Sequence, residues 1–348
     1  MSKKKIQMSK IPKSILFIGA LNENGNEFRK SIAIDKLVDH VDFIDTEQYI
    51  NPSNKIRYWL TFHYQYSVFL DKLNQAILSQ LQEQKYDLVW FEKPVFIYRE
   101  TLEYIRSKNI VSVSYNPDNA FGPREDGCWR LYLENLDLFS HHLIPRRSNY
   151  HDIRSRSTAK IFFMPFSFDQ NIHFKESNLK KDLDVTFIGT PHDQRIEFIH
   201  ELSKNISVNI NIFSTEWRKF EAKLSKNSNV NINNSIYGID YREVINRSRI
   251  MLGFMTQSNI DEYSRRSFEI SACGSFLLSQ RSNFQKRFFR ENKEAVYFDD
   301  VSECTDKINY FLDHPEQRRT IEISGYRRAK ELNFNNDYLL KRILNKIF

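Results

Sequence analysis

"RRSFEISACGSFLLSQ", residues 265–280, sets two arginines and a glutamate directly ahead of small residues and an apolar run. A core helix leading into a core strand needs neither the arginines nor the glutamate. The preceding RIMLGFM (249–255) has the composition of a buried strand, and TQSNIDEYSRR reads as a polar loop. RSFEISACG then has helical spacing, Gly274 is placed to end it, and SFLLS is the next strand. Strand, loop, helix and strand in that order predict a parallel sheet with helices on its faces. The arginines therefore fall at a helix N-terminus beyond the carboxyl end of a strand. The helix dipole disfavours a cation there unless an anion is near. Free backbone N–H groups and guanidinium forks together make a phosphate site. Glu269, about one turn further in, is placed to accept hydrogen bonds from ribose hydroxyls. A solvated helix start with Arg and Glu merely paired fits the same spacing, and both readings stay open at this level.

The pattern extends in both directions. SILFIGA (14–20), VDFIDT (41–46), YDLVWFE (86–92), IVSVSYNP (110–117), LFSHHLIP (138–145) and KIFFMPF (160–166) read as strands. One long helical stretch spans about 58–84, and another helix lies near 99–107. After the polar FKESNLKKDLD (174–184) a second set starts with VTFIG (185–189). It runs through VNINIFS, a helix, NVNIN, YREVINRS, RIMLGFM, the opening stretch and AVYFDD (295–300). Helical segments finish the chain from about 302 to 346. Apolar strands alternating with helices predict an α/β fold of two doubly wound, Rossmann-like domains. The boundaries read as 1–175 and 176–348, with the final helix able to pack back on the first domain. Ligands in such sheets bind outside the carboxyl ends of the strands, and two facing domains would leave their largest crevice between them.

The 348 residues suffice for two cores, and 41% hydrophobic against 27% charged residues place the chain among soluble globular proteins. No apolar run approaches the roughly 20 residues of a membrane span. The basic start MSKKKIQMSKIPK lacks a signal-type apolar core, which predicts a cytoplasmic protein. Its lysines would also suit a peripheral contact with the inner face of the membrane. Cys128, Cys273 and Cys304 are odd in number and widely spaced, as expected of reduced thiols. The net charge of +7 favours anionic partners, while the scatter of basic residues along the chain argues against nucleic acid. Neither CxxC nor HExxH occurs, so no metal site is expected. GxGxxG and GxxxxGK[ST] are absent too, which disfavours dinucleotide oxidoreductases and P-loop enzymes. DLD (182–184) fits the metal-binding DxD string but precedes a strand and reads as solvated linker. Asp299 and Asp300 sit at a strand end and are weak candidates.

RSFEISACGSFLLS resembles the donor-site motif of GT-B glycosyltransferases, in particular the CgeB-type group related to glycosyltransferase family 4. DVTFIGTPHDQRIEFIHEL (184–202) resembles the first strand, loop and helix of that group's C-terminal domain, with Gly189 and Arg195 at the matching places. YGIDYREVINRSRIMLGF (237–254), the segment from EAVYFDD to 331, and YDLVWFEKPVFI and SYNPDNAF in the first half are also similar. The resemblance implies two facing Rossmann-like domains and transfer of a sugar from a nucleotide-sugar donor. No other cofactor is implied. It further implies a glycan or lipid-linked acceptor of bacterial surface-polysaccharide type. Arg266 and Arg265 would contact the diphosphate with Arg195 nearby, Glu269 would hold the ribose, and Tyr237 would pack on the base. The charge of the leaving diphosphate would be met by fixed cations and a helix N-terminus in place of a metal. Family 4 carries two glutamates separated by seven residues; here Asp261, followed by Glu262, stands where the first would be. Retention or inversion is therefore open. Inversion needs a base on the acceptor side, for which Asp118 is the first candidate and Glu92 the second. His141 and His142 share a predicted strand, where one should point inward as a core histidine. The loop NENGNEF (22–28) is a further acceptor-side candidate. A sugar-nucleotide epimerase on the same fold, and a non-catalytic glycan-binding or coat-assembly protein, are the competing readings.

Overall fold

A computed structural model describes residues 11–122, 129–177, 179–224 and 229–348. Cys128 and the first ten residues, with most of the basic N-terminal segment, lie outside the described residues. The chain divides into two units, one of residues 1–165 and 336–348, the other of residues 166–335.

The strands of the first unit are β1 (Ser14–Gly19), β2 (His40–Asp45), β3 (Leu88–Glu92), β4 (Val111–Tyr115), β5 (His141–Ile144) and β6 (Lys160–Phe163). They form one parallel sheet in the order β2-β1-β3-β4-β5-β6, with Ile15 beside Leu88 and Trp90 beside Val113. Helices α1 (Asn26–Asp35), α2 (Thr46–Tyr49), α3 (Lys55–Tyr64), α4 (Val68–Glu83), α5 (Arg99–Ser107), α6 (Arg130–Glu134) and α7 (Asn149–Arg154) connect them. Residues 15–18 and 88–91 are fully or almost fully buried, because helices cover both faces of a parallel sheet.

In the second unit, β7 (Leu183–Ile188), β8 (Ile210–Phe213), β9 (Val230–Asn233), β10 (Ser248–Gly253), β11 (Leu277–Gln280) and β12 (Val296–Phe298) form a parallel sheet ordered β12-β11-β10-β7-β8-β9. Its helices are α8 (Arg195–Asn205), α9 (Glu221–Leu224), α10 (Gly238–Arg247), α11 (Arg265–Ala272), α12 (Gln285–Phe288), α13 (Val301–Asp313) and α14 (Pro315–Leu332). The last helix, α15 (Asn336–Ile347), belongs to the first unit, where it packs beside α1 and buries Leu339, Leu340, Ile343 and Leu344.

Several elements differ from the sequence reading. The single helix expected over 58–84 is two. Gln65 is left-handed at φ 51, and Ser67 caps α4 by accepting from the Leu70 amide. The break is held by Gln65 itself, which is buried, donates to the Val95 carbonyl and accepts from the Leu131 amide. NENGNEF is only partly loop, because α1 begins at Asn26. Both His141 and His142 are buried, since a strand covered on both faces hides either side. His142 bonds Ser114 and the Leu136 carbonyl, whereas His141 stacks on Phe162. Burial pushes both imidazoles down to about 4. The units divide at 165/166, ahead of the expected 175/176: Phe166, Phe168 and His173 are buried, and Phe166 and Phe168 bond Tyr263 and Phe334 in the second unit. Cys273 and Cys304 are buried free thiols, and burial pushes both far up.

Candidate functional site

The order of the second sheet reverses between β7 and β10, which are neighbours although two strands and three helices separate them in sequence. At such a switch point the loops leaving the two strands diverge and open a crevice at the carboxyl ends. The loop after β7 carries Gly189 and leads to Arg195, the first residue of α8; the loop after β10 leads to Arg265 and Arg266, the first two residues of α11.

Arg195 ties the two loops together. Its guanidinium donates to the Thr190 carbonyl at 3.2 Å, to the Met255 carbonyl at 3.3 Å and to Thr256 Oγ1 at 3.1 Å. The side chain is buried. Burial first, and then the nearby Arg266 charge, pull its pKa down to about 10. Arg195 thus positions the loops, with much of its donor capacity already used.

Arg266 lies against Gly189. A Cβ on this glycine would stand 3.1 Å from Arg266 Nη2, 3.3 Å from its Cζ and 2.9 Å from the Phe187 ring. A side chain there would crowd the guanidinium and strain a φ of 157. Arg266 Nε is buried without a hydrogen-bond partner, and the N-cap Ser264 makes no side-chain cap bond to α11. The Gly189 carbonyl is held by the indole N–H of Trp217 at 2.7 Å. Arg265 stacks over Phe166 at 5.2 Å. Two mutually repelling guanidinium groups beside an uncapped helix start are stabilised by an anion.

Glu269 is buried in the second turn of α11, where Oε2 accepts a 2.6 Å hydrogen bond from the Tyr241 hydroxyl. Burial would raise its pKa. His173, Arg265, the Tyr241 hydrogen bond and Arg266 outweigh that and hold the carboxyl below its usual range. Tyr241, in α10, is pushed well above its ordinary value by burial and by Glu269, so it stays the donor. His173 meets the Tyr241 ring edge-on at 5.6 Å. Sequence reading missed both Tyr241 and His173: they lie on other elements, and no spacing rule links them to Glu269. Tyr237 stands at the N-cap position of α10 and is 53% exposed, so it is no core tyrosine. Helix α11 ends in a Schellman turn. Ser275 N–H donates to the Ile270 carbonyl and Gly274 N–H to Ser271, with Gly274 at φ 68.

The remaining acids have other partners. Asp261 accepts from the Thr256 amide at 3.1 Å, which shapes the loop before α11. DLD is not a solvated linker. Asp184 lies inside β7 and pairs with Arg249 at 2.5 Å, and Asp182 pairs with Arg247 at 2.8 Å. Asp299 pairs with Arg281, which also gathers Glu291 and Glu303, while Asp300 caps α13. Among the described residues, no group of three or more His, Cys, Asp or Glu is arranged to hold a metal ion.

In the first unit Glu92 ends β3 but is not presented as a base. It is buried, one oxygen pairs with Lys30 of α1, and the other accepts from the Trp90 indole at 3.1 Å. Burial raises its pKa in spite of Lys30. Asp118 follows β4, is partly exposed, and pairs with Lys93 at 2.6 Å.

Residues 194–345, a little under half of the chain, match the family model described as glycosyl transferase-like. That span holds Arg195, Tyr237, Arg265, Arg266 and Glu269. Sucrose-phosphate synthase from Thermosynechococcus elongatus has a similar structure, with a TM-score of 0.74 at 14% identity over 95% of this chain and 97% of that one. Anabaena HepE in complex with UDP-glucose matches at a TM-score of 0.69 and 14% identity, covering 96% and 99%. A glycosyltransferase from Rickettsia africae matches at 0.66 and 11% identity, covering 96% and 97%. The fold is GT-B. The neighbours show the fold, and the family match makes residues 194–345 glycosyl transferase-like in sequence. No curated protein matches the chain by sequence.

Proposed function

We propose that this chain is a metal-independent glycosyltransferase of the CgeB-type group. In this reading it moves a hexosyl unit from a nucleoside-diphosphate sugar, with no separate cofactor, to a glycan or lipid-linked acceptor in bacterial surface-polysaccharide synthesis on the cytoplasmic side. The observation that carries the reading is the Arg266 guanidinium, set against Gly189 at the uncapped start of α11, with the Glu269 carboxylate held one turn in. Arg266 and the first N–H groups of α11 meet the negative charge that develops on the departing diphosphate. Arg265 adds to this field, Arg195 fixes the two loops, Glu269 accepts the ribose hydroxyls, and the exposed Tyr237 ring stacks on the base. HepE has been described with UDP and UDP-glucose bound, and a pneumococcal O-GlcNAc transferase with UDP and GlcNAc, which makes uridine diphosphate the first nucleotide to test. On the acceptor side Asp118, partly exposed and paired with Lys93, is the group proposed to orient or deprotonate a hydroxyl, whereas Glu92 is buried with both oxygens taken.

Calorimetric titration with UDP checks the site. Arg266→Ala and Glu269→Ala should each weaken binding by about 10- to 100-fold, as expected for a lost hydrogen bond to a charged group. Circular dichroism should stay unchanged. Unaltered affinity in both variants rejects the assignment. Donor turnover that persists in excess chelator supports metal independence, and its loss refutes it.

A further inference from the structure

Helix α3 is apolar on both sides. Tyr58, Thr61 and Phe62 face the core of the first unit. The other side carries Ile56, Trp59, Leu60 and Tyr64 at helical spacing, all exposed, with Ile56 at 76% and Trp59 at 56%. Tyr66 and Val68 extend this patch through the turn into α4. A helix that is apolar all round is normally covered all round, and a contiguous exposed apolar patch marks an interaction surface.

Charge selects the occupant. No acidic residue occurs between Glu47 and Asp71, whereas Lys55 and Arg57 are exposed on α3. Arg130 reaches the C-terminal end of the helix and donates to the Tyr64 carbonyl at 3.3 Å. Trp59 stacks on His63 at 5.2 Å and meets Tyr64 edge-on, a ring cluster suited to a lipid–water boundary. A glycan platform would pair its rings with carboxylates or amides for the sugar hydroxyls. Here α3 carries no carboxylate, Glu134 is paired with Arg130 and Asp71 accepts from the Tyr98 hydroxyl. The amides are committed as well: Asn54 caps α3, Asn51 holds the Ser53 amide, and Gln65 is buried. A second copy docked through the same face would bring like charges together.

We propose that α3 and the turn into α4 seat the first unit on an anionic lipid bilayer, with Ile56, Trp59 and Leu60 entering the headgroup layer and Lys55 and Arg57 contacting lipid phosphates. Such a short patch gives reversible attachment. The proposal stands on the first unit alone and does not depend on the nucleotide site.

Flotation of the full chain with vesicles tests it, using phosphatidylcholine alone and phosphatidylcholine mixed with phosphatidylglycerol. The chain should float with the anionic vesicles and much less with the neutral ones. Both W59S/L60S and K55E/R57E should lose about tenfold or more of that binding, with melting temperature and UDP titration unchanged. No flotation with anionic vesicles overturns the proposal, as does binding that neither double variant reduces. Binding lost only on removal of residues 1–10 also overturns it, by moving the contact to the N-terminal lysines. A dimer that W59S/L60S dissociates, with no lipid binding, would assign the patch to self-association instead.

Discussion

Tyr241 bonds Glu269 from a different helix and supplies the hydrogen bond that Oε2 of this buried carboxylate accepts. Tyr241→Phe keeps the ring beside His173 and removes only the hydroxyl. A hydrogen bond to a charged group is worth about 1.5–3 kcal/mol, so donor KM should rise by about tenfold or more while kcat at saturating donor changes little. The pH dependence has a definite sign. Glu269 is depressed in the folded protein, so the proposed ribose contact should be present above its pKa and fail as pH falls through it. Without the Tyr241 bond that pKa rises, and the acid limb of donor binding should move to higher pH. An acid limb that does not move would make Tyr241 a packing residue only. At this scale the sequence is informative where chemistry is local. Arg265, Arg266 and Glu269 can be placed from a strand, a loop and a helix start. The pairing of Glu92 with Lys30 cannot, because 62 residues separate them and only the sheet brings α1 over the end of β3.

Among the elements, glycine marks where packing leaves no room. Gly325 lies in α14, and a Cβ there would come 2.4 Å from the Glu294 carbonyl oxygen. Gly325→Ala must push the helix off this backbone, at a cost of about 1–3 kcal/mol. Gly274→Ala at the end of α11 would strain a φ of 68 and crowd only the flexible Lys175 chain, at about 1 kcal/mol. Urea midpoints should therefore fall further for Gly325→Ala; the reverse order would mean that α14 yields easily. The strands were legible because parallel strands buried on both faces appear as unbroken apolar runs, such as residues 15–18 and 250–252. The division into α3 and α4 was not. Apolar spacing continues through it, and the left-handed Gln65 is fixed by partners 30 and 66 residues away.

For the whole molecule, the first unit is discontinuous: its chain departs at Pro165 and returns at Asn336. Sequence placed two doubly wound halves correctly in kind, but the polar run 174–184 looked like a linker because its partners in the second unit are distant in sequence. Leu340 of α15 is wholly buried. Leu340→Ala should cost about 2–5 kcal/mol and lower the first unit's calorimetric transition, leaving UDP affinity below that transition unchanged. A matching fall in nucleotide affinity would show that α15 supports the second unit instead.

The return of α15 also orders biosynthesis. All of residues 166–335 must be translated before the segment that covers α1 exists, so the unit begun first is finished last. The nascent chain carries an uncovered apolar seam through the second half of its synthesis, and a product truncated short of α15 keeps that seam as a mark for chaperones and proteases.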